Sequence, residues 1–159
     1  MARRGESSKV IPLRQPGART PSVERVAAID IGSNSIRAIV ADVDSSGAIR
    51  VIDELKDAPR LGAGLETSGM LDPAAMRRAS DAVLRMATLA RAHGAGRVEA
   101  VATSAVRDAS NADEFVELVR ADAGLPVRVL EGEDEARLGY RSALAHFDLG
   151  VGRWAVVDI

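Results

Sequence analysis

The chain opens with short apolar runs separated by small polar residues. Residues 26–29 form an apolar run that predicts a buried strand ending at Asp30, and residues 36–43 predict a second strand. Residues 49–55 alternate between apolar and polar side chains and predict a third strand. The turn-forming sequences GSNS and DSSG separate these three runs. We therefore expect an antiparallel meander of three strands.

Further along, apolar residues recur at helical spacing and alternate with short apolar runs. The pattern predicts, in order, a helix from Asp72 to His93-Gly94, a strand at residues 98–103, a helix between Asn111 and Gly124, a strand at residues 127–130, a helix at residues 133–147 and a strand at residues 154–159. The glycine-rich residues before the first helix predict a loop.

Two details of the helices can be predicted from single residues. Asn111 followed by Glu114 three residues later fits a capping box at the start of the second helix. In the third helix we expect one apolar stripe to face inward. Its members are Ala136, Tyr140, Ala143, Leu144 and Phe147.

This order of elements predicts an α/β fold, with a mixed five-stranded sheet and helices on its faces. Residues 25–150 are expected to form that domain. Residues 1–24 are expected to be a disordered basic leader, because residues 1–20 carry five basic residues against one acid. An inert tail and a phosphate- or RNA-binding arm both fit this composition.

The composition indicates which cellular compartment and which binding partners to expect. The chain has no cysteine, which rules out disulfides and suits a reducing compartment, so we expect a cytoplasmic protein. The formal net charge is -2, so no overall positive field attracts nucleic acid and we expect no specific nucleic-acid partner. No apolar run approaches the length of a membrane span, and we expect no membrane partner.

Small polar residues follow the first strand in the sequence DIGSNS. A hairpin turn explains them, because Gly32 and Asn34 tolerate unusual backbone angles. A phosphate-binding turn explains them too, with backbone N–H groups and the hydroxyls of Ser33 and Ser35 donating to an anion. In that case Asp30 would hold Mg²⁺ or orient water. The residues alone leave both interpretations open.

Two further clusters follow later strands. Arg107 comes just after a strand end, where it would either grip phosphate oxygens or form a surface ion pair with Asp108. Four acids then crowd a junction between a strand and a helix, which is more than a helix N-terminus needs. One of them could serve as a general base for water, and the pattern does not say which.

A calcium loop is a competing interpretation of the second turn. Asp42, Asp44, Ser46, Gly47, Ile49 and Asp53 fit much of the spacing of such a loop. The flanking residues read as strands rather than helices, and the last position is Asp rather than Glu. We therefore expect no calcium site there.

Taken together, the segments AAIDIGSNSIRAIVADVD, RLGAGL, ATSAVRDASNADEF, LEGEDEARLGY and AVVDI resemble the exopolyphosphatase/guanosine pentaphosphate phosphohydrolase (Ppx/GppA) family. The resemblance covers residues 26–159. It implies the two-lobed ribonuclease H-like architecture that is shared with actin, sugar kinases and chaperone ATPases. The predicted order of elements matches the first lobe of that architecture.

The resemblance also implies roles for particular residues. Arg107 would contact the phosphates, Glu135 would be the catalytic base, and Asp158 would be the acid of a second phosphate motif. Asp30 and Asp158 would hold Mg²⁺ as the cofactor. The terminal phosphate would be cradled by the loop residues Gly32, Ser33, Asn34 and Ser35.

The implied activity is Mg²⁺-dependent release of terminal phosphate from inorganic polyphosphate or guanosine pentaphosphate, by a protein that is a homodimer when intact. In the family a second lobe follows. We therefore expect this chain to be an inactive N-terminal fragment, with residues 151–159 as the first strand of a truncated second lobe. Two alternatives are an ATPase or kinase lobe of the same fold and a non-catalytic polyphosphate- or alarmone-binding regulator.

Overall fold

The computed structural model describes residues 22–147, 152 and 155, which contain one five-stranded sheet. The strands are β1 (Val23–Ile31), β2 (Ile36–Asp44), β3 (Ile49–Asp57), β4 (Arg97–Ala102) and β5 (Val127–Val129). Their spatial order is β3-β2-β1-β4-β5. Strand β2 is antiparallel to both β1 and β3, whereas β4 is parallel to β1 and β5 is parallel to β4. The predicted α/β class and mixed five-stranded sheet are confirmed.

The three predicted helices are present, and two short helices accompany them. The described helices are α1 (Leu65–Ser68), α2 (Pro73–Ala92), α3 (Ser104–Arg107), α4 (Ala112–Ala123) and α5 (Gly132–His146). Helix α2 begins as predicted, because the Asp72 carboxylate accepts a hydrogen bond of 2.8 Å from the Ala75 N–H. The single-turn helices α1 and α3 were not predicted, since one turn leaves no periodic pattern in a sequence.

The core lies between one face of the sheet and the helices α2 and α4. Alternate residues of β1 and β2 are buried there, and α4 contributes the fully buried Phe115. The buried surface of α2, which packs on the sheet and on α4, is rich in small side chains. Its buried members are Ala75, Met76, Ala79, Ser80, Ala82, Val83, Met86, Ala87 and Ala90. These small residues let the helix lie close to the strands, which compensates for an aromatic content of only 3%.

The prediction for the inward stripe of α5 is wrong. Tyr140, Leu144 and Phe147 are 46%, 49% and 65% exposed, Ala136 is exposed, and Ala143 is half-buried. The apolar stripe exists, but no second apolar layer of described residues covers it. A sequence pattern shows that a helix has an apolar face and does not show what that face contacts.

The capping box predicted at Asn111 is also wrong. Asn111 occupies the N-cap position of α4, but its side chain makes no cap hydrogen bond. Its Oδ1 instead accepts from the Leu71 N–H at 2.8 Å, and its Nδ2 donates to the Leu71 carbonyl at 3.1 Å. Asn111 is buried, so this amide pairing satisfies polar groups that water does not reach and ties the loop before α2 to α4.

Several predictions concern residues beyond the described part of the chain. The predicted leader lies outside it up to residue 21, and β1 begins at Val23, two residues before the expected domain boundary. The strand predicted at residues 154–159 lies outside it except for Ala155. Among the described helices, none has the length and apolar character needed to cross a membrane.

Candidate active site

The loop Gly32–Ser35 joins β1 to β2 at the carboxyl end of β1. The Gly32 N–H donates to the Ser35 carbonyl at 3.1 Å, which closes a tight turn. A Cβ atom at Gly32 would lie 3.0 Å from that carbonyl oxygen, so a larger residue would force the turn to shift. The loop is therefore a hairpin turn, and its position makes it one wall of a cleft as well.

Residues 60–62, which follow β3, hold this loop in place by backbone hydrogen bonds. The Arg60 N–H donates to the Asn34 carbonyl at 3.2 Å, and the Gly62 N–H donates to the Ser33 carbonyl at 2.8 Å. Arg60 adopts a left-handed backbone with φ of 55°, which is unusual for a residue with a Cβ atom. A Cβ atom at Gly62 would lie 3.1 Å from the Ser33 Cβ and 3.4 Å from the Ala105 Cβ. Residues 60–62, here called the brace, therefore fix the loop by backbone contacts.

The other wall of the cleft begins at the end of β4. Because β1 and β4 are parallel, their carboxyl ends meet, and the Thr103 N–H donates to the Ile31 carbonyl at 3.2 Å. The hydroxyls of Ser33 and Ser104 lie 3.1 Å apart. Ligands of open α/β sheets bind at such strand ends, so the geometry places small polar donors where a ligand is expected.

Arg107 connects three elements at this edge of the sheet. Its Nη1 donates to the Leu130 carbonyl and to Glu135 Oε2, both at 2.9 Å. Its Nε lies 3.4 Å from the exposed Asp108 carboxylate, so the predicted surface ion pair also forms. The hydrogen bond to Glu135 is the main reason that the pKa of Arg107 is raised above its ordinary value. Arg107 is therefore a fixed cation that holds an acid.

The structure separates the four acids that the local residue pattern left equivalent. Glu135 is half-buried, lines the cleft and pairs with Arg107. Glu133 and Asp134 instead form ion pairs with Arg137, at 2.9 Å and 3.8 Å. The Glu131 carbonyl accepts the Glu135 N–H at 3.0 Å, while its exposed side chain caps nothing. Glu135 is thus the one of these four acids that lines the cleft.

The cleft has a volume of about 1060 Å³. It is lined by Asp30, Gly32, Ser33, Asn34, Ser35, Arg37, Thr103, Ser104, Arg107, Gly132, Glu135, Ala136 and Gly139. Every candidate site residue within the described chain is therefore brought together. Asp158 lies outside the described residues.

Besides Thr103 and Ser104 at the end of β4, two groups of lining residues lie outside the site predicted from the sequence. Arg37 stands directly opposite Asp30 in the register of β1 and β2, so the hairpin itself was the signal. The small residues Gly132, Ala136 and Gly139 of α5 share one face of the helix, because they recur at spacings of four and three. Their small size keeps the helix from filling the cleft.

The carboxylates of the cleft suit a metal ion that arrives with a phosphate ligand. Within the described chain, no cluster of three or more His, Cys, Asp or Glu residues could cage a metal. The described carboxylates of the cleft are Asp30 and Glu135. Mg²⁺ is commonly held by one or two carboxylates together with substrate phosphates, so this donor set fits Mg²⁺.

The calcium alternative has no support in the structure. The Asp44 carboxylate accepts from the backbone N–H groups of Ser46 and Ala48, which forms a local turn. Hydrogen bonding by Ser46 lowers the pKa of Asp44. The Asp42 carboxylate is paired with Arg25 and Arg50. Both acids are therefore engaged by protein groups.

Strand order and cleft position together define the class of this protein. The order β3-β2-β1-β4-β5 with an antiparallel β2, and a polar cleft at the carboxyl ends of β1 and β4, are those of a ribonuclease H-like lobe. The family model that matches the chain is that of the Ppx/GppA phosphatase family, over residues 39–159. The chain belongs to this family, which confirms the resemblance seen in its motifs.

Individual relatives agree with this assignment. Exopolyphosphatase 2 of Mycobacterium tuberculosis is 37% identical over 147 residues, covering 87% of this chain and 46% of the relative. The crystal structure of the Aquifex aeolicus Ppx/GppA family member is 34% identical with a TM-score of 0.71, covering 77% of this chain and 40% of that one. An exopolyphosphatase structure from Cytophaga hutchinsonii is 29% identical with a TM-score of 0.73, covering 77% and 39%. The chain thus spans about half the length of its curated relatives, or less.

Proposed function

We propose that this chain supplies one wall of the active site of a Mg²⁺-dependent phosphohydrolase that releases terminal phosphate from inorganic polyphosphate. The observation that carries the proposal is the Arg107–Glu135 pair, which faces the Gly32–Ser35 loop across the cleft. Family membership and the curated exopolyphosphatase relative support it. Activity on guanosine pentaphosphate, a cytoplasmic location and a homodimeric state stay predictions from the family resemblance.

The loop would bind the terminal phosphate. The Ser33 and Ser104 hydroxyls share one hydrogen bond of 3.1 Å, which leaves one O–H free to donate to a phosphate oxygen, and Gly32 allows the anion to approach the backbone closely. The brace already uses the carbonyls of Ser33 and Asn34, so the loop is held before the substrate arrives. Reorganisation of a preorganised loop costs little free energy when charge develops on the phosphate.

Arg107 would neutralise charge on the transferred phosphoryl group. Its Nη1 and Nε face protein acceptors, while its Nη2 makes no hydrogen bond to any described residue. A guanidinium has five N–H donors, so Arg107 can keep Glu135 in place and still bind a phosphate oxygen. Asp30, together with Asp158 of the predicted second motif, would hold Mg²⁺, which supplies further charge neutralisation when bound.

Glu135 would act as the general base for the attacking water. It is the acid that lines the cleft beside a phosphate-binding cation, and it emerges from the first turn of α5. A base that removes a proton from water, rather than from a sugar hydroxyl, makes the phosphoryl transfer a hydrolysis. We propose that the 159-residue chain is weakly active or inactive by itself, since catalysis requires the substrate to be held from both sides.

The test is phosphate release from polyphosphate by the full-length gene product in the presence of Mg²⁺. Glu135→Gln is expected to lower kcat by a factor of about 10² to 10⁴, the range for loss of a general base. Glu133→Gln is the matched control, because it makes the same change on the same helix at a residue paired with Arg137. Its activity should stay near that of the wild type.

Three outcomes would contradict the proposal. Equal activity of the Glu135→Gln and wild-type proteins would remove Glu135 from the mechanism. Saturable binding of polyphosphate without turnover by the wild-type protein would favour the non-catalytic regulator instead. ATP-dependent transfer to an acceptor would favour the kinase alternative.

A further inference from the structure

Two cations stand side by side where the cleft opens onto the face of the sheet opposite α2 and α4, which no described helix covers. In the strand register, Arg37 of β2 is opposite Asp30 of β1 on one side and opposite Lys56 of β3 on the other. Residues directly opposite each other in a sheet project from the same face. The neighbours of Arg37 along β2, Ile36 and Ala38, are buried beneath the helices, so this row lies on the other face.

The two cations differ in their neighbours, because Asp30 stands opposite Arg37 whereas no described acid stands opposite Lys56. Arg37 and Lys56 are exposed, and neither makes a hydrogen bond or ion pair with any described residue. Another set of three residues that are opposite each other on β1, β2 and β3 differs in its charges. There Asp42 of β2 stands between Arg25 and Arg50 and pairs with both. One row thus alternates in charge, whereas the row at the cleft runs from the acid Asp30 to two adjacent positive charges, Arg37 and Lys56.

Like charges directly opposite each other destabilise an antiparallel pair of strands. A bound anion would remove that repulsion, and the cations are arranged in a line that leads away from the cleft. Neighbouring strands are about 4.8 Å apart, so the backbone of Lys56 lies about that distance beyond the backbone of Arg37. None of the described residues that line the cleft is aromatic, so this described wall offers no stacking surface to a nucleotide base.

We propose that Lys56 is an outer phosphate subsite that, with Arg37, guides a linear inorganic polyphosphate across the sheet edge into the cleft. This inference rests on the proposed function and adds to it a preference for an extended polyphosphate over a guanosine nucleotide. Lys56 binds phosphate units behind the terminal one. Short ligands that fill only the cleft do not reach it.

The experiment compares affinities for a short and a long ligand in the full-length protein carrying Glu135→Gln, so that the ligand is not consumed. Pyrophosphate probes the cleft alone, and long-chain polyphosphate probes the cleft together with the outer subsite at Lys56. At low salt, Lys56→Gln is expected to weaken binding of long-chain polyphosphate by about threefold to fivefold, in line with loss of one exposed ion pair. The affinity for pyrophosphate should not change.

Arg128→Gln is the matched control. Arg128 is exposed on β5 and belongs to the same row across the sheet, next to Val101 in the register, but it lies on the far side of Asp30 from Lys56. Its loss lowers the net charge equally and should not weaken polyphosphate binding. Because Lys56 is exposed and faces Arg37, Lys56→Gln should also leave the urea midpoint unchanged or higher.

Four results would overturn the inference. The first is unchanged affinity of Lys56→Gln for long-chain polyphosphate. The second is an equal loss in Arg128→Gln, which would indicate general attraction to surface charge. The third is an equal loss for pyrophosphate, and the fourth is an equal loss for guanosine pentaphosphate. If the parent protein binds no phosphate ligand at all, the proposed function itself fails.

Discussion

Substituting Gly62 with alanine tests whether the brace positions the phosphate loop. Gly62 does not adopt a left-handed backbone, so its conformation is open to alanine. The obstacle is space, because the new Cβ atom would lie 3.1 Å from the Ser33 Cβ and 3.4 Å from the Ala105 Cβ. The first distance is shorter than an ordinary carbon–carbon contact, so Ser33 must shift by a few tenths of an ångström.

Two opposing terms set the expected magnitude. Replacing glycine with alanine at a compatible backbone stabilises a protein by about 0.4–1 kcal/mol, because the unfolded chain loses freedom. Forcing an extra methyl group into packed space costs about 1–3 kcal/mol. The free energy of unfolding should therefore fall by about 1–2 kcal/mol. The shift of Ser33 should also lower kcat by about tenfold, since small displacements of a binding group are costly to turnover.

Gly96→Ala is the control for this substitution. Gly96 precedes β4 at the opposite end of the sheet, has no left-handed φ, and would place its Cβ atom no closer than 3.9 Å to the nearest atom, the Arg25 carbonyl oxygen. This variant should be as stable as the wild type or slightly more so, with full activity. Urea unfolding and phosphate release would be measured for both variants of the full-length protein. Equal stability and equal kcat in the two variants would refute the positioning role of the brace.

Two further substitutions test the fold itself. Asn111→Ala removes both hydrogen bonds to Leu71 and leaves buried backbone groups without partners, so the free energy of unfolding should fall by about 2–3 kcal/mol in urea titrations. Hydrogen bonds from Arg25 and then Arg50 lower the pKa of Asp42 in the folded protein. The stabilisation by Asp42 is therefore fully present above its unfolded pKa of about 3.9 and is lost as the pH falls through the lower folded value. Asp42→Asn should lower the urea midpoint at pH 6. The midpoint of this variant should also fall less between pH 6 and pH 3 than that of the wild type.

Each of these substitutions has a control close by. Ser110→Ala removes one hydrogen bond from an exposed neighbour of Asn111 and should cost clearly less. An equal cost would mean that burial of the amide is not the cause. Asp81→Asn changes an exposed acid of α2 that forms no ion pair with any described residue, so the urea midpoint of this variant should fall with pH as that of the wild type does. If the urea midpoint of Asp42→Asn depends on pH as that of the wild type does, the ion pairs of Asp42 with Arg25 and Arg50 do not contribute to stability at low pH.

Local patterns predicted most of the secondary structure. The three opening strands, the helix from Asp72 to His93, and the order of the later elements all follow from periodicity and end signals that lie within a few residues of each other. Such signals act through the backbone of the same segment, so they can be read without knowing the fold. The motifs also identified the family, and with it Arg107 and Glu135 as candidates.

Contacts between distant segments were beyond the reach of these patterns. Asn111 looked like a cap because Asn satisfies helix N–H groups in general, yet in the folded chain its amide meets Leu71, 40 residues away. The stripe on α5 looked like a core face, but whether an apolar stripe is covered depends on what the rest of the fold places against it. The α3 turn was too short to be periodic.

The sequence by itself determined the elements, their order and the residue types that the cleft needs, because propensity and spacing are local properties. Only the tertiary structure decided which acid lines the cleft. Four acids lie within five residues, and the parallel arrangement of β1, β4 and β5 brings Glu135 alone of them within 2.9 Å of Arg107. It also placed Lys56 beside Arg37, since strand register depends on pairing between segments and not on either segment alone.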